Sequence, residues 1–136
     1  MQLEFDHVAV AVHSLSEFLP VLERLTGLGG SPPERIASQG VDVSFVGSVE
    51  VIEPTSSDTG VARFLEKRGP GLHHIAYRTG NLADLMSRLT SEGYRFTSPE
   101  PAVGRGGHQV AFLHPSSTGG LLVEFVEKPA PADKPT

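Results

Sequence analysis

Two stretches of this chain repeat each other's chemistry, and that repetition constrains the fold more than any other feature. A histidine in the alternating run 5–12 and a glutamate in the run 49–54 are echoed by His74 in 72–77 and Glu124 in 121–126. Each half reads as a βαβββ unit, which cannot cover both faces of its own sheet, so the halves must pair. The expectation is an α+β fold in which two paired βαβββ modules form one curved mixed sheet, a cup with helices outside. At 136 residues the chain is long enough for one compact domain and too short for two independent ones of typical size. That domain is expected over 1–127, with module one at about 3–54, a linker helix at about 59–68 and module two at about 72–127. The proline-, alanine- and lysine-rich end, 128–136, reads as a flexible tail.

Local patterns support the plan. In the first run Phe5, His7, Ala9 and Ala11 face one way and Asp6, Val8, Val10 and Val12 the other. The valine face wants a helix, and 14–26 supplies it: Ser14 and Glu17 form a capping-box pattern, and Leu15, Phe18, Leu19, Leu22 and Leu25 form an apolar stripe. Pro20 interrupts that helix and predicts a kink or a late start. Strands fit at 34–38, 41–46 and 49–53. In the second half, strands fit at 72–77, 94–97, 108–114 and 121–126, with a helix from its Asn81 cap to about Ser91.

Several functions are excluded by composition. A net charge of −5 with scattered basic residues leaves no footprint for nucleic acid. No apolar run approaches a membrane span, the N-terminus lacks signal-peptide character, and a cytoplasmic location is the default. The absence of cysteine removes thiolate chemistry and disulfides, so any metal must be held by nitrogen and oxygen.

Period-two geometry places His7 beside Ala9 and His74 beside Ala76, a ligand next to empty space in each half. Glu50 shares a face with Ile52, and Glu124 with Leu122 and Val126. A glutamate among apolar neighbours costs several kcal/mol, roughly, unless a cation or proton compensates it. His7, Glu50, His74 and Glu124 therefore form a candidate metal site. Two imidazoles and two carboxylates suit Zn, Co, Ni, Mn or Fe(II), with room for water or substrate. A histidine on an apolar strand is ordinarily a hydrogen-bonded core residue, and only the recurrence favours ligation. His73 is expected on the opposite face, packed against a helix. His13 has no evident partner, and His114 either caps a turn or lines the cup. The Gly104-Arg105-Gly106-Gly107 loop before His108 is a weak anion-site signal, and Lys67 and Arg68 are candidate phosphate contacts.

The segments Asp6-His7-Val8-Ala9-Val10-Ala11-Val12, Gln39-Gly40-Val41, Val51-Ile52-Glu53-Pro54, Gly71-Leu72-His73-His74-Ile75-Ala76 and Ala111-Phe112-Leu113-His114-Pro115 resemble the methylmalonyl-CoA epimerase family. So do the stretches 61–69 and 117–124. The family belongs to the vicinal oxygen chelate superfamily, with glyoxalase I as a relative. The resemblance implies His7, His74 and Glu124 as metal ligands, with Glu50 where relatives have Gln or Glu. It implies a divalent metal, most commonly cobalt, a CoA thioester substrate, and epimerisation of methylmalonyl-CoA (2R/2S) through a metal-stabilised enolate. Glu50 and Glu124 are the candidate catalytic acid–base pair, and a homodimer is the expected assembly. Some epimerases carry a carboxylate two residues after the Gln-Gly-Val motif, where this chain has Val43; alternation turns the neighbouring Asp42 to the other face. The alternatives are a glyoxalase I-like lyase acting on a glutathione adduct, a metal-free small-molecule-binding module, and a catalytically inactive partner protein.

Overall fold

The computed structural model describes residues 2–128, so all of the expected tail except Lys128 lies outside the described residues. The chain runs β1 (Glu4–Ala11), α1 (Leu15–Thr26), β2 (Glu34–Ile36), β3 (Val41–Val46), β4 (Val49–Pro54), α2 (Gly60–Arg68), β5 (Gly71–Thr79), α3 (Leu82–Ser91), β6 (Ala102–Val103), β7 (Gln109–Leu113) and β8 (Val123–Glu127). All eight strands join one mixed, curved sheet in the order β2-β3-β4-β1-β5-β8-β7-β6. The first half occupies one side and the second half the other, meeting where β1 and β5 pair antiparallel.

The convex face is covered as the apolar patterns require. Leu15, Phe18, Leu19 and Leu22 of α1 pack on Val10, Val12, Val49 and Val51. Leu82, Leu85, Met86 and Leu89 of α3 pack on Tyr77, Ala111, Leu113, Val123 and Phe125. Each helix opens the same way: Ser14 Oγ accepts the Glu17 amide and Asn81 Oδ1 the Asp84 amide. Behind each cap, a glutamate at the end of a strand accepts the first helical amide, Glu53 from Leu15 and Glu127 from Leu82, both at 2.8 Å.

Three expectations need correction. The late start expected for the first helix does not occur, since it begins at Leu15 and runs through Pro20 to Thr26. Proline removes one amide, and its position on an exposed face lets water serve the carbonyl left behind. The strand expected at 94–97 is reduced to a single bridge, Phe96 to Leu113, and the edge strand forms later, at Ala102–Val103. Pro99 and Pro101 lack the amides a continuous ladder needs. The linker helix α2 does not lie outside the cup. Its Val61 and Leu65 pack with Ala11, Ile36, Val41, Val43 and Ile52, residues on the same sheet face as His7 and Glu50, so α2 plugs one end of the concave side.

The two edges of the sheet also approach each other. Ser38 Oγ donates to the Val103 carbonyl at 2.6 Å, and the Gly106 amide donates to Glu34 at 3.0 Å. The turn before β3 requires Gly40, whose φ is 65° and where a Cβ would meet Thr59 Cγ2 at 2.6 Å.

Candidate metal centre

Strand register explains how the four candidate residues meet. On β1 and β4, Ala9 pairs with Glu50; on β5 and β8, Ala76 pairs with Glu124. Across the seam, Ala9 pairs with His74 and Ala76 with His7. Each alanine, fully buried, therefore sits between a histidine and a glutamate, and its single methyl leaves the space into which they lean. Each half also adds an aromatic wall. Phe45, paired with Glu50, stands edge-on to His7 at 5.2 Å, and Phe112, paired with Glu124, edge-on to His74 at 5.3 Å.

The result is a compact, buried polar cluster between two aromatic rings. His7 Nε2 lies 3.0 Å from Glu124 Oε1 and 3.4 Å from Glu50 Oε1. His74 Nε2 lies 3.3 Å and 3.6 Å from the same two oxygens. His7, Glu50 and His74 each offer a ligand atom within 4.8 Å of the others. Glu124 falls outside that tightest group, yet its Oε1 is the nearer oxygen to both nitrogens.

All four residues are buried. The imidazole–carboxylate contacts are close but off-axis for hydrogen bonding, so His7 Nε2, His74 Nε2 and Glu124 Oε1 remain buried without a partner among the described residues. Three converging orphaned polar atoms of this kind are costly unless something bridges them. The nitrogen and oxygen set fits a divalent cation such as Zn, Co, Ni, Mn or Fe(II).

Electrostatics point the same way. Burial would push the His7 imidazolium down, but the carboxylates of Glu124 and Glu50, with Asp6 behind the ring, raise its pKa from 6.5 to about 10. Burial would likewise raise Glu124, and His7 and His74 hold it below the ordinary carboxylate range instead. The cluster is thus an acceptor of positive charge, whether a proton or a metal.

Two residues that alternation assigns elsewhere belong to this site. On β1, Phe5 pairs with Tyr77 and His7 with Ala76, leaving Asp6 without a partner; on β5, His74 pairs with Ala9 and Leu72 with Val10, leaving His73 without one. Both are β-bulges, and both bring the residue preceding a site histidine around to that histidine's ring. Asp6 Oδ2 accepts from His7 Nδ1 at 2.6 Å, and His73 Nδ1 meets His74 Nδ1 at 2.8 Å. The expectation that His73 faces away, toward an outer helix, is therefore corrected: it stands edge-on to Phe64 of α2 at 4.9 Å and lines the cavity beside His74. Burial, then the neighbouring His74, lowers its pKa from 6.5 to about 4, so it is neutral. The one trace in the sequence is that each site histidine follows a polar residue within an apolar strand.

The other candidates divide, with Arg105 and His108 lining a small cavity shared with His7, Glu50 and Glu124. His114 caps its own turn, accepting the Ser116 amide, and exposed His13 stays outside the site. In the glycine loop, Gly106 is engaged by Glu34, and the Arg105 guanidinium lies 4.0 Å over the Phe45 ring. Asp42 faces away and pairs with Arg35 at 2.8 and 3.0 Å, while Val43 lies in the dry cluster under α2. A cavity of about 540 Å³ opens beside the cluster, with His74, His73, Phe112, Ile52 and Leu122 along its wall and Arg63, Lys67 and Arg68 of α2 along its rim.

Comparison with known proteins agrees with this architecture. Residues 6–112 match the model of the glyoxalase/bleomycin resistance protein/dioxygenase superfamily. The mitochondrial methylmalonyl-CoA epimerase of Dictyostelium discoideum is 32% identical over 92% of this chain and 78% of its own length. The chain belongs to the methylmalonyl-CoA epimerase family of that superfamily. Two solved structures of the family superpose closely. The Mycobacterium tuberculosis epimerase has a TM-score of 0.89 at 30% identity, covering 94% of this chain and 89% of its own. A single-residue variant of the Streptomyces coelicolor epimerase, in complex with 2-nitronate-propionyl-CoA, has a TM-score of 0.88 at 28% identity, covering 95% and 100%. Among the described residues, no helix is long and apolar enough to cross a membrane.

Proposed function

We propose that this chain is a metal-dependent methylmalonyl-CoA epimerase that interconverts the 2R and 2S thioesters by moving the α-proton. The observation that carries the reading is the buried cluster of His7, Glu50, His74 and Glu124, with three unpartnered polar atoms, beside a cavity rimmed by cations. These four residues would hold the metal. A divalent cation bound there supplies a Lewis acid for the oxyanion that develops as the α-proton leaves.

The chain's own groups divide the remaining work. Epimerisation needs one group to take the proton from one face of the α-carbon and another to return one to the opposite face. Glu50 and Glu124 come from different halves and are the pair we assign, each changing between ligand and base. The apolar wall of Phe112, Ile52 and Leu122 excludes water from the reacting carbon. Arg63, Lys67 and Arg68 meet the phosphates of the CoA tail outside the cup. The nitronate ligand of the Streptomyces coelicolor protein supports this chemistry, because a nitronate is planar and anionic next to the thioester, as the substrate becomes once its α-proton has gone.

Solvent deuterium uptake at the α-carbon of methylmalonyl-CoA, followed by NMR with Co²⁺ added or removed, tests the proposal. Metal-dependent uptake is expected with methylmalonyl-CoA and not with propionyl-CoA, which has the thioester but lacks the α-carboxylate that would chelate the metal together with the thioester oxygen and hold the substrate in reactive geometry. Equal exchange with both compounds would overturn the chelation part. Turnover of a glutathione hemithioacetal without exchange of the CoA thioester would transfer the assignment to a glyoxalase I-like lyase.

A further inference from the structure

The central seam of the sheet gives up regular pairing twice, and each irregularity falls on the residue before a site histidine. A bulge leaves a residue out of the ladder and bends the strand, so one in the central strand pair of a sheet calls for a reason. The two bulged side chains are chemically unlike, a carboxylate and an imidazole. They share one property, a polar atom within hydrogen-bond distance of the Nδ1 of the following histidine, at 2.6 Å for Asp6 Oδ2 and 2.8 Å for His73 Nδ1.

We infer that Asp6 and His73 are positioning residues, each carried on its bulge to hold the ring proton of His7 or His74 on Nδ1 and leave Nε2 bare for a metal. The inference rests on the metal reading proposed above. A neutral imidazole has one proton, and the nitrogen that carries it cannot be a ligand; an acceptor fixed against Nδ1 therefore selects the tautomer and the ring orientation together. Both Nε2 atoms are the ones that face Glu50 and Glu124 and lack a hydrogen-bond partner among the described residues. The two acceptors are themselves held. Lys128 donates to the other Asp6 oxygen at 2.7 Å, while His73, keeping its own proton on Nε2, is wedged against Phe64 on the cavity wall. The His7 side is thus anchored by charge at the end of β8, and the His74 side by an aromatic contact with the linker helix that borders the cavity.

Paramagnetic NMR of the full chain titrated with Co²⁺ tests this without reference to activity. Wild type is expected to show two slowly exchanging, strongly shifted ring N–H signals, one per ligand histidine. His73→Phe keeps an aromatic ring beside Phe64 but removes the acceptor. It should lose the His74 signal to fast exchange, keep the His7 signal, and bind Co²⁺ about 10–100-fold more weakly in chelator competition. His73→Gln, whose amide oxygen can accept, should restore the signal, and Asp6→Leu should silence His7 while sparing His74. Both slow signals and wild-type affinity in His73→Phe and in Asp6→Leu would overturn the positioning role. Failure of wild type to take up Co²⁺ would overturn the metal reading itself, an outcome distinguishable from indifference of the variants.

Discussion

At the scale of single residues, the site depends on small side chains as much as on its candidate ligands. Ala76 pairs with both His7 and Glu124 and is fully buried, so Ala76→Leu has nowhere to place its extra carbons except the space those two side chains use. Overpacking of this kind costs about 1–3 kcal/mol. We expect a lower urea midpoint together with loss of Co²⁺ binding. His7→Ala and His74→Ala each remove one nitrogen donor, and metal content after dialysis should fall well below one ion per chain. Glu50→Gln and Glu124→Gln keep an oxygen in place but remove its basicity; α-proton exchange should fall by about 10²–10⁴-fold in proteins that still fold. Normal exchange in both would take these residues out of the chemistry. The four clustered residues were legible because they repeat on one face of alternating strands. Asp6 and His73 were not, since a bulge is a local surrender of alternation that strand periodicity assumes away.

Among the elements, α2 links fold to substrate. Its apolar side, Val61 and Leu65, is fixed in the concave core, which leaves Arg63, Lys67 and Arg68 on the rim of the cavity. Reversing the charge of Lys67 and Arg68 together should raise KM for methylmalonyl-CoA with little change in kcat, and the effect should shrink with added salt. An effect on kcat alone would place the CoA tail elsewhere. The sequence marked this helix at about 59–68 by the Gly69-Pro70-Gly71 run that ends it, but could not say which face of the sheet it covers. That choice belongs to the tertiary fold, where Ile52, Val43 and Ala11 supply the apolar surface that Val61 and Leu65 cover. The expected strand at 94–97 failed for a related reason: Tyr94 and Phe96 have strand propensity, but the neighbouring edge is taken up by a single bridge before two prolines intervene.

For the molecule as a whole, the cluster ties stability to pH when no metal is bound. His7 has a folded pKa of about 10 against 6.5 for the free side chain. Its contribution is therefore fully present below about pH 6.5 and is lost as pH rises through about 10. Urea midpoints of chelator-treated protein should decline across that window, and the decline should be absent in His7→Ala. A flat profile in the parent chain would mean that the imidazolium is not held as the geometry requires.

The pairing of β1 with β5 places one histidine and one glutamate on either side of a seam between two like halves. Neither half owns the site. Such an arrangement resembles a symmetric dimer written out as one polypeptide, in which each side originally would have been obliged to mirror the other. Fusion lifts that obligation, because a change in one copy no longer appears in its twin. Asp6 and His73 occupy the same station in the two halves and hold different chemistry, a difference that one continuous chain permits and two identical subunits would not.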